Sequence, residues 1–381
     1  MKILNVLFFI IFILFIQGCS KKVVKVEEAI IVFPSAPAEP RVVYLDTYRG
    51  EKEEVSKLNA LDVFLGETIE SKNSSPVIIK PYGVNLYDGK IYVVDTAANF
   101  VYKIDEKTKD VSYFGRSGPG TLASPVDVAI DAKGMVYVSD VRHKAIIVYN
   151  QKGEYQYAIG GKLLFTHPTG ITINKKLNRL YIADTKGHNF KIFDLETKEL
   201  ISIIGKRGVG DGEFNFLTNM AIDTRNDNLI VSDTQNFRIQ VFDKDGKFIR
   251  RFGKVGDRPG NFARPKGVGV DTEGHIYVAD SAFNNVQIFS DTGELLLYFG
   301  HAGYTQPGTF RLIAGLYIDD DDKIVVADGF TGRVQTFQFL SEQWKKNNPL
   351  EYKKYTEINP KEKTKQDENK IIDKQEKADI K

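Results

Sequence analysis

Six aspartates recur along this 381-residue chain at near-constant intervals, and such an array of carboxylates is the first feature that could do chemistry. They are Asp95, Asp140, Asp184, Asp233, Asp280 and Asp328, spaced by 45, 44, 49, 47 and 48 residues. Each closes an apolar run, as in "IYVVD", "VYVSD", "LYIAD" and "IVVAD". A catalytic carboxylate is needed once, whereas six copies at one repeat position answer a need that every repeat shares. An aspartate at a strand end accepts amides from the turn that follows, so the series is expected to be structural. The run "YIDDDDK" (Tyr317 to Lys323) suggests calcium, but it lacks the alternating ligand spacing of a calcium loop. It stands where other repeats carry "DTEGH" and "DAKGM", and a charged hairpin turn is expected. Five histidines, His143, His167, His188, His275 and His301, could serve zinc only if three donors converged at about 2 Å from the metal. The chain has no Gly-x-Ser-x-Gly elbow, HExxH, P-loop or CxxC. No catalytic residue, metal or cofactor is therefore expected.

The elements that position these residues repeat with them. In "HIYVADSAFNNVQIFSDTGELLLYFG" (His275 to Gly300), three apolar runs of strand length alternate with turn-forming gaps. The gaps are too short for helical crossovers, so the strands run antiparallel. A glycine ends each of the first five units, at Gly115, Gly160, Gly205, Gly253 and Gly300. A further strand precedes each aspartate, led by Gly83, Asp127, Gly170, Asn219, Gly267 and Gly315. Four strands in each of six units predict an all-β, six-bladed β-propeller of four-stranded antiparallel blades. Blades that pack on both faces explain why the strands are apolar throughout rather than alternating.

The pattern Pro-x-Gly-Val/Ile, then I-Y-V-A-D, then a run like "RIQVFD", then "FG", resembles the NHL repeat over roughly residues 77 to 340. "PKGVGVDTEGHIYVADSAFNNVQIF" is one of the two closest copies. The resemblance implies a propeller whose relatives bind proteins or RNA, act as sensors, or carry lyase chemistry. In amidating lyases of this type it implies metal-binding histidines directly after the proline that opens the innermost strand. Here those slots read Pro81-Tyr82, Pro125-Val126, Pro168-Thr169 and Pro265-Lys266. The expectation is a protein-binding scaffold without enzymatic activity. A metal-dependent lyase or lactonase and a ligand-sensing propeller are the alternatives.

Alternating strand directions put the loops after the aspartates and the loops after the "FG" strands on one face. The candidate binding residues lie there, around the channel mouth: Tyr82, Asp127, Arg142, His143, Thr169, Lys186, His188, Asn219 and Lys266. Variable loops on a rigid scaffold make such contacts, with aromatic and arginine residues as anchors. The 52 basic residues nearly balance the 50 acidic ones, so no nucleic-acid partner is expected.

At the start, Lys2 precedes an apolar stretch, Ile3 to Ile16, that is short for a membrane span. It runs into Ile16-Gln17-Gly18-Cys19, which resembles a bacterial lipobox. The expectation is a signal peptide over 1–18 and a lipid-bearing Cys19. That places the protein in the bacterial cell envelope, with the outer membrane favoured. Residues 19–40 read as a tether and 41–340 as the propeller, with 41–76 supplying a closing strand and a short helix. The sixth unit lacks an outer strand, and Val42 to Tyr48 is expected to close it, with 52–66 helical outside; Ala60 to Gly66 is the rival strand. Residues 341–381 read as a charged, disordered tail.

Overall fold

The computed structural model describes residues 30–50 and 77–357, and everything below belongs to the unit that begins at Ile31. Six antiparallel sheets succeed one another along the chain, and the innermost strand of each lies beside that of the next. Blade 5 is typical: Pro265–Val270, Ile276–Asp280, Asn285–Phe289 and Leu295–Phe299, from the axis outward. Its second strand is buried at every position, as continuous apolar sequence requires when blades cover both faces. The core is a ring of inter-blade clusters. Val128 and Ile130 of blade 2 pack on Tyr92 and Val94 of blade 1, for example.

The recurrent glycines and aspartates fasten the loops between blades. Gly205, Gly253 and Gly300 all have positive φ, and a Cβ on them would strike the rings of Phe214, Phe262 and Phe310. Those phenylalanines are fully buried and anchor the loops that lead into blades 4, 5 and 6. Each aspartate holds the other end of its loop. Asp140 accepts the Ala123 and Ser124 amides through Oδ2 and those of Arg142 and His143 through Oδ1. Asp95 and Asp280 repeat this pattern. In the other three blades a buried cation replaces the turn amides: Lys191 on Asp184, Arg238 on Asp233 and Arg333 on Asp328. Arg333 also donates to the Thr305, Gln306 and Thr309 carbonyls, so it clamps the incoming loop as well as its aspartate.

Val42–Tyr48 pairs antiparallel with Arg333–Phe339 and is the fourth strand of blade 6, which closes the ring. The helix expected over 52–66 and the rival segment Ala60 to Gly66 lie outside the described residues, as do Cys19 and 358–381.

Two boundaries need correction. The tether does not extend to residue 40: Val32–Phe33 adds a fifth strand to blade 6 by pairing with Val42 and Val43. Phe33 packs against Phe299 and Phe337, because the apolar "IIVF" run finds an open slot between blades 5 and 6. The charged tail does not begin at 341 either. Glu342–Asn347 (α1) and Pro349–Thr356 (α2) are helices, with Ser341 capping α1 through the Trp344 amide. Trp344, Tyr352 and Tyr355 pack on Val43 and Leu340, while Glu39 accepts bonds from Lys345 and Tyr352. Three aromatics on two short helices outweigh the charged composition around them.

Candidate functional site

All six innermost strands carry a register shift at the same place, between their first and fourth residues. This bulge turns the third residue of each strand toward the next blade. In four blades that residue is glycine, and close approach is the reason. A Cβ on Gly83 would lie 2.4 Å from the Asp127 Cα, and one on Gly315 would lie 2.0 Å from the Tyr82 carbonyl. In blades 2 and 4 the position holds Asp127 and Asn219, both buried. Asp127 Oδ2 accepts the Ile171 amide of blade 3 at 3.0 Å, and Oδ1 accepts that of Val128 at 3.0 Å. Burial, opposed only by these two bonds, pushes the Asp127 carboxyl up to about 7.

Below this tier the channel widens into a cavity of about 280 Å3. Its lining runs from Asp127, Asn219 and Gly315 down to Lys175, Lys176, Asp271, Asp319 and Asp320, the hairpins between first and second strands. Asp127 and Asn219 therefore form the inner end of a cavity that reaches the hairpin face, opposite to the loop face where they were expected. The bulge is the reason, since it sets the third residue one tier inside the ring. Tyr82 lies on the other side of this tier and takes no part in the lining. Its hydroxyl points at Asn219 Oδ1 (3.5 Å) across the ring, and Lys266 Nζ sits 5.2 Å from its ring centre. Burial, reinforced by Arg264 and Lys80, lowers the Lys266 ammonium below its ordinary value.

The remaining candidates divide. Thr169 is buried and joins Thr185 at 2.5 Å, which in turn donates to the Leu217 carbonyl of blade 4. It belongs to the scaffold and not to a docking surface. His188 accepts the Phe216 amide at 3.2 Å and meets that ring edge-on at 4.6 Å, so it too braces a neighbouring blade. His143 stands 3.3 Å from Asp140. Arg142 and Lys186 are exposed on the loop face.

Sequence reasoning missed the aromatic cluster on this face. Tyr304 and Phe330 are 52% and 58% exposed and meet edge to face at 6.1 Å. The Arg311 guanidinium lies 5.0 Å from the Tyr304 ring centre and 6.0 Å from that of Phe330. The backbone beneath is fixed: Asp328 accepts the Arg311 amide, and the Arg311 carbonyl accepts the Phe330 amide. Leu312 and Phe216, the residues that lead into blades 6 and 4, are also exposed and sit at φ 56° and 54°, where bulky residues are uncommon. A phenylalanine two residues after the aspartate in "DGFTG", where the other blades carry Ala97, Arg142, Lys186, Gln235 and Ala282, was the available signal. Apart from Asp211, Glu213 and Asp257, every formal charge in the described loops of this face is basic. Among the described residues no three His, Cys, Asp or Glu side chains stand together so as to hold a metal ion.

Fold and site define a six-bladed β-propeller with a basic, aromatic loop face and a central cavity that reaches the opposite face. Residues 162–239 and 224–277 match a family described as "6-bladed beta-propeller". The chain has relatives among NHL-repeat proteins. "Protein brain tumor" of Drosophila melanogaster is 29% identical over 163 residues, which cover 42% of this chain and 15% of that one. "NHL repeat-containing protein 2" of Bos taurus is 25% identical over 187 residues, 41% of this chain and 25% of the relative. The chain thus spans a quarter or less of the length of these curated relatives. Among solved structures, a gluconolactonase of Xanthomonas campestris aligns with a TM-score of 0.54 at 15% identity, covering 68% of this chain and 86% of that one. That likeness is one of fold, and the fold alone does not choose between binding and catalysis.

Proposed function

We propose that the protein is a lipid-anchored binding scaffold of the bacterial cell envelope, which captures a protein partner on the loop face of its propeller. The observation that carries this reading is the exposed Tyr304–Arg311–Phe330 cluster on a rigid backbone within a basic face. Tyrosine and arginine are the residue types that dominate binding hot spots, and stacking holds this arginine in place before any partner arrives. Surrounding basic loops favour a partner with an acidic surface and make its association sensitive to salt.

A photoreactive phenylalanine analogue at position 330 tests the reading in cells. It should cross-link to a discrete protein, while the same analogue at position 292, in a hairpin on the opposite face, should not. Adducts from 292 alone would place the docking surface on the hairpin face. Adducts at 330 that nuclease removes would replace the protein partner with nucleic acid. Anchoring rests on Cys19 behind the apolar stretch Ile3 to Ile16. Cys19→Ala should release the protein from membranes, and retention of an uncleaved, membrane-bound form would contradict the lipid anchor.

A further inference from the structure

The cavity at the axis has the composition of a ligand site, and it is independent of the loop face. Reading the six innermost strands across at their fifth residue gives Asn85, Ala129, Thr172, Ala221, Gly269 and Tyr317. Three small residues in this tier create the space. At about 280 Å3 it holds the volume of roughly nine waters at ~30 Å3 each. The adjoining tier is aliphatic, with Ile130, Ile173, Ile222, Val270 and Ile318 in the lining. Into these apolar walls project polar groups that the fold leaves unused. Asn85 is 6% exposed, yet its amide has no hydrogen-bond partner among the described residues. The Tyr317 hydroxyl on the neighbouring blade likewise has none. Both groups open onto the cavity, where a bound molecule would pair with them.

Charge narrows the ligand class. Asp127 at the inner end receives two backbone amides and faces no cation. At the mouth Lys176 is committed to Asp227 at 2.8 Å, and Lys175 lies over the Tyr87 ring at 5.8 Å. Asp271 is engaged by His275 at 2.8 Å, while Asp319 and Asp320 add carboxylates that form no salt bridge among the described residues. A buried carboxyl beneath an acidic mouth lacks the counter-charge that would stabilise its ionised form. From this juxtaposition we infer that the cavity binds a small organic ammonium ion: its apolar body lies against the aliphatic tier, its ammonium on Asp127, and Asn85 and Tyr317 hold its polar edge.

The test is calorimetric titration of the full-length protein with three ligands of one shape: 2-phenylethylamine, 2-phenylethanol and 3-phenylpropionate. The amine should bind at least tenfold more tightly than the alcohol, and the acid should not bind measurably. Asp127→Asn should remove the preference for amine over alcohol, whereas Asn85→Leu should weaken both. Equal affinity for amine and alcohol, amine binding that survives Asp127→Asn, or no binding of any of the three would overturn the inference. The wild-type series decides the matter even if a variant fails to fold. Because these ligands address only the cavity, their failure would leave docking on the loop face untouched.

Discussion

The two faces of this propeller are built from the same chain by the same repeat, yet they differ in charge and in shape. Among the described residues the loops of one face are basic apart from three carboxylates, and that face displays an aromatic–arginine cluster over clamped backbone. The hairpin face carries the "DDDD" turn and the mouth of the axial cavity. A near balance of 52 basic and 50 acidic residues over the whole chain conceals this segregation. Net charge is therefore a poor guide to what a single face can attract. The difference also separates two kinds of polar residue: those that hold the loops in every blade, and those that break symmetry and remain available to a ligand.

The clamps give the largest expected effect. Arg333→Met leaves Asp328 buried without its cation and frees the carbonyls of the 300–312 loop, and should cost about 3–5 kcal/mol in denaturant unfolding. At the matching position of blade 5, Asn285→Ala should cost less than about 1 kcal/mol, since four backbone amides already satisfy Asp280. Comparable losses at both positions would show that the clamp is not what stabilises the loop face. Next come the added strand and its slot. Deletion through residue 30 should leave the melting transition in place, while deletion through residue 40 removes Phe33 and Glu39 and should cost about 2–4 kcal/mol.

Asp127 links stability to pH. Its folded pKa of about 7 lies above the ordinary value of 3.8. Between those values the folded state holds a proton that the unfolded chain has released, so stability falls as pH rises from about 4 to 7. Asp127→Asn should flatten that slope and raise stability at pH 8 relative to pH 5 by roughly 2 kcal/mol. An unchanged slope would mean that the carboxyl is ionised throughout. The smallest effect on stability belongs to the loop-face cluster. Tyr304→Ala, Arg311→Ala and Phe330→Ala should each shift unfolding by no more than about 0.5 kcal/mol, because these side chains cover little of the core.

Repetition decided what could be read from the sequence. The aspartates and the glycines serve in every blade, so their spacing exposed the strand order, the blade number and the open edge that Val42–Tyr48 closes. Features made once left no period. Arg311 and Phe330 lie on separate loops and meet because Asp328 and the Phe330 amide both hold the Arg311 backbone. The cavity depends on Ala129, Ala221 and Gly269 being small in one tier, which becomes visible only when six strands are read across rather than along. Asp127 and Asn219 were recognised as departures from glycine, but the bulge that sets them inside the ring has no sequence signature beyond those glycines. Past residue 341, frequent lysine and glutamate obscured the three aromatics that dock α1 and α2.

Capture of the cross-linked partner by purified variants tests the central claim most directly. The triple variant Tyr304→Ala/Arg311→Ala/Phe330→Ala should lose at least a hundredfold in affinity with its melting temperature nearly unchanged, and wild-type capture should weaken as salt rises. Lys133→Ala/Lys323→Ala on the hairpin face should bind as wild type. Full affinity in the loop-face triple variant, with loss in the hairpin-face pair, would contradict the account and assign the docking surface to the acidic side.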